Sequence, residues 1–340
     1  TEFDSSLRPQ GEYIPHEHLT IPKALKHADP SYTAAHFGKW GELMISTPEQ
    51  CGYDASDGMT GNNTGGTGKN KDGYFLVEDP KRTASVTARA IDFMKSADRA
   101  GRPFYLQVSY YAMHLRIELL GKTLEKYKQK GIPDRGYTVA WAGMMEELDQ
   151  GVGQLLDAID GLNIGDNTYV FFMADNGGQS RLNNLGPVGP LDLNLPLKLG
   201  KQFLWEGGIR VPFIVKGPGV PQGAYCHEPV AGYDLLPTFY DLAGGEKALP
   251  DEVDGVSIRP LLDNDPATAF TRPFGALVFH RPSVGAIGNP LNERFSAIRQ
   301  GNHKLYVIWK TGGSLDASGI ASPFLFDLSQ ESWDQHCLYH

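Results

Sequence analysis

Residues 171–178 read Phe-Phe-Met-Ala-Asp-Asn-Gly-Gly, an apolar run that stops abruptly at a carboxylate, an amide and two glycines. No alternation interrupts the apolar part, so it is predicted to be a strand (Tyr169 to Ala174) covered on both faces, as in a layered α/β sheet. Asp175 and Asn176 then stand at the C-terminal end of that strand, where open α/β sheets place their ligands. Their side chains are hard oxygen donors of the type that Ca²⁺ or Mg²⁺ takes. Gly177 and Gly178 permit a tight turn and close backbone approach.

The rest of the chain continues the layered pattern up to about residue 262. Helices are predicted over Leu19–Ala28, Ala84–Ala97, Thr138–Asp160 and Gly232–Ala243, with strands over Tyr32–Phe37, Phe104–Tyr110 and Phe213–Lys216. The clearest helix carries Trp141, Met144, Met145, Leu148, Val152, Leu155, Leu156 and Ile159 at spacings of three and four, which predicts one buried stripe. Residues 49–73 are dense in Gly, Asn, Thr and Asp and read as a long loop. Beyond residue 262 four strands follow, Phe274–His280, Phe295–Arg299, Lys304–Trp309 and Phe324–Leu328, with a hairpin turn at Gln300-Gly301-Asn302-His303. The expectation is an α/β/α domain over residues 1–262 and a small antiparallel subdomain over 263–340.

Composition narrows the function. Hydrophobic residues make up 41% and charged residues 21%, which is ordinary for a globular chain of 340 residues. A net charge of −9 with no basic stripe argues against a nucleic-acid partner. No run of 18 apolar residues occurs, so no membrane-spanning helix is predicted. Any anionic substrate must therefore be held by local cations rather than drawn in by the overall field. Cys51, Cys226 and Cys337 do not make a disulfide framework. Gly66-Thr67-Gly68-Lys69-Asn70 lacks the spacing and the following Ser or Thr of a phosphate-binding loop. His16-Glu17-His18 puts two imidazoles on one side of an extended segment, too few ligands for a metal site. Asn62-Asn63-Thr64 is a formal glycosylation sequon.

Residues 194–215, Asn-Leu-Pro-Leu-Lys-Leu-Gly-Lys-Gln-Phe-Leu-Trp-Glu-Gly-Gly-Ile-Arg-Val-Pro-Phe-Ile-Val, supply the second distinctive stretch. It resembles the lysine-containing segment of the type I sulfatases, members of the alkaline phosphatase-like superfamily. Further matches lie in the family's order: residues 32–40 (Tyr-Thr-Ala-Ala-His-Phe-Gly-Lys-Trp), 110–114 (Tyr-Tyr-Ala-Met-His), 146–153, 254–257 and 296–299. The family's nucleophile motif, Cys-x-Pro-Ser-Arg or Ser-x-Pro-Ser-Arg, whose first residue becomes formylglycine, does not occur in this sequence, nor does the Asp-Asp pair of its first strand. The chain thus resembles a sulfatase without its N-terminal segment.

The resemblance implies a role for each matching residue. Lys201 would bridge the sulfate and the leaving oxygen, stabilising developing negative charge. His114 would protonate the leaving oxygen, and Lys39 would contact the sulfate and the aldehyde-derived group. His280 would line the substrate pocket, and Asp175 and Asn176 would be metal ligands, with Ca²⁺ usual and Mg²⁺ an alternative. Two donors leave that shell incomplete, since Ca²⁺ takes 6–8 oxygens. Glu206 and Arg210 read as supports of the turn and the strand start. Gly41 stands where the family's Lys-Trp-His has its histidine, so the usual base for releasing sulfate is missing, and His36 is no obvious substitute. Arg116 replaces the proline two residues after the family histidine. The implied function is hydrolysis of sulfate monoesters of a sugar or aryl alcohol, with the chain as given inactive for want of a nucleophile. A phosphodiesterase or phosphonate monoester hydrolase of the same superfamily, or a non-catalytic anion-binding protein, are the alternatives. The resemblance also favours a periplasmic or extracellular location, with a sulfated small molecule or glycan as partner.

Overall fold

The computed structural model describes residues 17–41, 46–62, 74–133, 137–179, 194–263, 270–281, 294–309, 320–329 and 337–339. In chain order the elements are α1 (Ile21–Ala28), β1 (Thr33–Gly38), β2 (Ala55–Ser56), β3 (Tyr74–Leu76), α2 (Thr83–Arg99), β4 (Phe104–Ser109), β5 (Ile117–Leu119), α3 (Gly121–Lys130), α4 (Val139–Gly161) and β6 (Val170–Met173). There follow α5 (Glu206–Ile209), β7 (Phe213–Lys216), α6 (Leu235–Leu242), α7 (Arg259–Leu262), β8 (Leu277–Arg281), β9 (Arg294–Gln300), β10 (His303–Trp309), β11 (Ile320–Asp327) and β12 (Cys337–Tyr339). The chain divides into two compact units, residues 1–168 with 232–259, and residues 169–231 with 260–340.

The first unit is layered. β1 lies between β2 and β4, all parallel, and every residue of β1 is buried. Alternation along β1 explains this, because successive side chains leave on opposite faces and both faces are covered. Ala35 and Phe37 pack with Val86 and Ala90 of α2. Ala34 packs with Cys51 and Tyr53, and Tyr105 of β4 meets Phe239 of α6 with ring centroids 5.7 Å apart. Thr138 caps α4, its hydroxyl accepting from the Trp141 amide at 3.1 Å.

The stripe of α4 departs from the sequence expectation: Trp141, Met144 and Ile159 are buried, and Leu148, Val152, Leu155 and Leu156 are half-buried. Met144 is buried but Met145 is 45% exposed, and Glu147 takes an inward place, accepting from the Leu120 amide at 2.9 Å. Burial raises the Glu147 carboxyl above its usual range. A spacing of three or four cannot say which of two adjacent apolar residues faces in when the inward slot holds a hydrogen-bonded carboxylate. The pair β3–β5 and the helix α3 lie where no element was anticipated from the sequence.

The second unit is built on the five-stranded antiparallel sheet β12-β11-β10-β9-β8. The turn between β9 and β10 lies where the sequence places it, with Gln300 opposite His303 and Gly301 at φ +56°. The inner face of this sheet holds an aromatic core of Phe203, Trp205, Phe295, Tyr306 and Phe326. Trp205 stacks on Tyr306 at 4.4 Å and Lys198 lies 3.8 Å above the Trp205 ring.

The other sheet of this unit corrects one expectation. β6 is not covered on both faces: it pairs antiparallel with β7 in a two-stranded sheet, and Phe172 and Met173 are each more than a third exposed. Ile214 of β7 is exposed as well. An unbroken apolar run is compatible with several environments, and the periodicity alone does not choose between them.

Candidate active site

In the first unit β1 and β4 run parallel with Gly38 opposite Ser109, so the residues after each strand emerge at the same, C-terminal edge of the sheet. Lys39 and His114 both follow that edge. The Lys39 segment is fixed through its backbone. The Lys39 amide donates to Ser109 O at 2.8 Å, and the Gly38 amide to Asp57 Oδ2 at 2.8 Å. Thr60 Oγ1 donates to Gly38 O at 2.5 Å and accepts from the Trp40 amide at 2.9 Å. Arg89 grips both oxygens of Asp57, at 2.7 and 2.8 Å, the fork geometry that gives a guanidinium its directional hold. Gly38 has φ +99°, and a Cβ there would strike Ser109 O, so only glycine fits before Lys39.

His114 is half-buried, and its amide donates to Tyr111 O at 2.9 Å. Its Nδ1 lies 2.8 Å from Leu115 O. A carbonyl only accepts, so Nδ1 carries the hydrogen, and in the neutral ring Nε2 is the nitrogen that takes or, once protonated, gives a proton.

His36 is not part of any exposed chemistry. It is 1% exposed, on the face of β1 opposite α2, with its Nε2 3.0 Å from Ser109 Oγ and its ring edge-on to Trp40 and Tyr53. Burial pushes its pKa down to about 4, against the opposing pull of Asp57. It therefore does not stand in for the base that Gly41 lacks. Cys51 is likewise buried, and burial raises its thiol pKa. His16 and the loop residues 63–73, including Gly66 to Asn70, lie outside the described residues, as do Asn63 and Thr64 of the sequon.

In the second unit the strand end carrying Asp175 and Asn176 is stitched to the Lys201 segment. The Lys201 amide donates to Gly178 O at 2.8 Å, and the Gly177 amide to Gly208 O at 2.9 Å. Asn194 completes the seam: its Oδ1 accepts from the Gly178 amide at 2.9 Å, while its Nδ2 donates to Gly178 O at 2.8 Å and Leu199 O at 2.9 Å. Glycines allow the approach. A Cβ on Gly177 would meet Gly207 O, and one on Gly208 would meet Phe203 O. Asp175 is exposed and Asn176 half-buried.

The Lys201 segment is anchored in turn to the sheet. Glu206, 2% exposed, pairs with Lys304 of β10 at 2.8 Å and lies 3.9 Å from Arg210. The support role read for Glu206 thus has a partner that was not foreseen. Lys304 sits in an alternating strand, and the signal available was a lysine at an inward position beside Tyr306 and Ile308. Asp57, Thr60, Arg89 and Asn194 were also missed, because polar residues in loops carry no periodicity. His280 is exposed in β8, opposite Ser296, on the face of the sheet away from the aromatic core.

Among the described residues no group of three or more His, Cys, Asp or Glu side chains is placed to hold a metal ion. Asp175 and Asn176 are hard oxygen donors that fit part of a Ca²⁺ shell, and alone they fall short of its six to eight oxygens. No helix among the described residues is long and apolar enough to cross a membrane.

The family model described as Sulfatase matches residues 2–245. The chain belongs to the sulfatase family. A sulfatase of Formosa agariphila is 34% identical over 209 residues, covering 57% of this chain and 36% of that protein. Arylsulfatase A of Bos taurus is 30% identical over 274 residues, 76% of this chain and 49% of the relative. The chain thus spans half or less of the length of these sulfatases. Among solved structures, Ps i-CgsB in complex with a neocarrahexaose superposes with TM-score 0.70 at 24% identity, covering 98% of this chain and 73% of that one. A structure in complex with D-glucosamine-2-N,6-O-disulfate superposes with TM-score 0.65 at 18% identity, covering 94% and 77%. The layered α/β fold with a small antiparallel sheet is therefore the sulfatase, alkaline phosphatase-like fold.

Proposed function

We propose that the protein hydrolyses sulfate monoesters, with a sulfated sugar or aryl alcohol as substrate. The observation that carries this reading is the seam in the second unit, where Lys201 is bonded through its amide to the residue that closes Asp175-Asn176-Gly177-Gly178. A cation and two oxygen donors on one glycine-built scaffold suit the handling of a sulfate ester.

In this reading Lys201 and Lys39 hold sulfate oxygens and oppose the charge that grows on them as the ester bond breaks. His114 gives its proton from Nε2 to the leaving alkoxide; the Leu115 carbonyl on Nδ1 orients the ring. Asp175 and Asn176 serve as two of the oxygen ligands of a divalent cation, and His280 contacts the substrate. Formylglycine would supply the attacking oxygen in the family, and the sequence given has no motif for it. A periplasmic or extracellular location belongs to the same reading and is checked by cell fractionation.

The test has two arms. The 340-residue chain is titrated with inorganic sulfate by calorimetry, and Lys201→Ala is expected to weaken binding at least tenfold; equal affinities in the two proteins would refute the role of Lys201. Sulfate release by the natural protein is then measured on an aryl sulfate and on sulfated glycans, and no release from any of them would sink the hydrolase reading.

A further inference from the structure

The antiparallel sheet of the second unit has a second face. Strand alternation puts Phe279, Phe295, Ala297 and Tyr306 against the aromatic core, which leaves His280, Arg294, Ser296 and Trp309 together on the other side. His280 lies directly opposite Ser296, and Arg294 directly opposite Trp309. Residues facing each other in this way are close enough for their side chains to act as one group.

A hydrogen-bond relay orders three of them. Trp309 Nε1 lies 2.7 Å from Ser296 Oγ, which lies 2.8 Å from His280 Nδ1. The indole nitrogen only donates, so Ser296 Oγ accepts there, and its own hydrogen is free to go to His280 Nδ1. In the neutral tautomer that accepts it, the imidazole hydrogen stands on Nε2, the nitrogen turned away from Ser296. His280 is exposed, and Arg294 and Trp309 are half-exposed. Among the described residues Arg294 makes no ion pair and Trp309 makes no ring contact, whereas Trp205 is stacked and Trp40 is packed edge-on. The surface is an aromatic plane bordered by N–H donors, with no carboxylate among the four residues. Aromatic planes take the C–H face of a sugar ring, and a guanidinium with a neighbouring N–H takes an oxyanion. The chain carries a net charge of −9, so non-specific attraction of a polyanion is not the basis of recognition.

We propose that this face binds a sulfated hexopyranose unit, with Trp309 beneath the ring and Arg294 and His280 Nε2 on the sulfate. The inference rests on the sulfated-glycan reading above and adds to it a second point of contact, since the segment carrying Lys201 packs against the opposite face of the same sheet.

The experiment uses the Lys201→Ala chain, in which the Lys201 site is expected to bind sulfate at least tenfold more weakly. It is titrated by calorimetry with a carrageenan hexasaccharide and with the same hexasaccharide after desulfation. Binding of the sulfated form is expected to persist, to fall at least tenfold with Trp309→Ala, and to fall with Arg294→Gln to the level of the desulfated sugar. Trp309→Phe, which keeps the ring, is expected to retain affinity within threefold. If Trp309→Ala does not fold, Arg294→Gln carries the test. No binding by the Lys201→Ala chain, or affinities unchanged by both substitutions, overturns the proposal. The outcome is separate from the inorganic sulfate titration: that arm can fail while this one succeeds, and the reverse.

Discussion

His36 gives the fold a definite dependence on pH. The ring is buried beneath Trp40 and Tyr53, and its pKa falls from 6.5 to about 4 because burial penalises the imidazolium. Asp57 favours the charged form and the backbone of His36 itself helps, but neither outweighs desolvation. In the unfolded chain the same ring titrates at its ordinary value. Between pH 6.5 and about 4 the unfolded state therefore binds a proton that the folded state refuses, and stability falls as pH falls through that window. Above it the contribution is flat. The total loss is on the order of 3 kcal/mol, with about 2.5 kcal/mol of it reached by about pH 4.5. The assay is urea unfolding at about pH 7.5 and about pH 4.5 for the natural chain and for His36→Gln, whose amide still reaches Ser109 but does not titrate. Carboxylates common to both proteins cancel in the comparison. The natural chain is expected to lose about 2.5 kcal/mol more than the variant; equal losses would mean that His36 is hydrated or paired in solution and would refute the reasoning.

Three further outcomes are expected. Breaking the buried Glu206–Lys304 pair with Lys304→Met leaves a carboxylate at 2% exposure short of its close cation and should cost about 3–5 kcal/mol, while Glu206→Leu with Lys304→Met should recover much of it; urea unfolding of the single and double variants checks both. Gly177→Ala drives a methyl into Gly207 O and should cost about 3 kcal/mol or more, with a matching loss of inorganic sulfate affinity. Thr138→Ala removes the cap of α4 and should cost about 1 kcal/mol in the same unfolding assay.

The layered fold was legible because its signals are local. The strands β1 and β4 and the helices α2 and α4 announce themselves by period and by their ends, and the turn at Gly301 by its residue types. What was not legible depends on partners far away in the chain. The run before Asp175 looks the same in sequence whether it forms the middle of a sheet or half of a two-stranded ribbon, because the partner β7 lies some forty residues on. Met145 and Glu147 exchange their expected faces because the Leu120 amide, from another element, offers the carboxylate a donor.

The candidate site divides along the same line. Lys39, His114, Asp175, Asn176 and Lys201 stand in short motifs that a sequence displays directly. The groups that hold their backbones do not: Asp57 and Arg89 act on Gly38 across 19 and 51 residues, Asn194 bridges Gly178 and Leu199, and Lys304 reaches Glu206 across 98. In each case a polar side chain satisfies a backbone group or a buried charge that a tightly turned glycine segment leaves exposed to the interior. The glycines permit the close approach and the polar residues are its consequence. A glycine-rich motif beside a functional residue therefore implies that such partners exist somewhere in the chain, without naming them, and only the packed structure identifies which asparagine, aspartate or lysine answers.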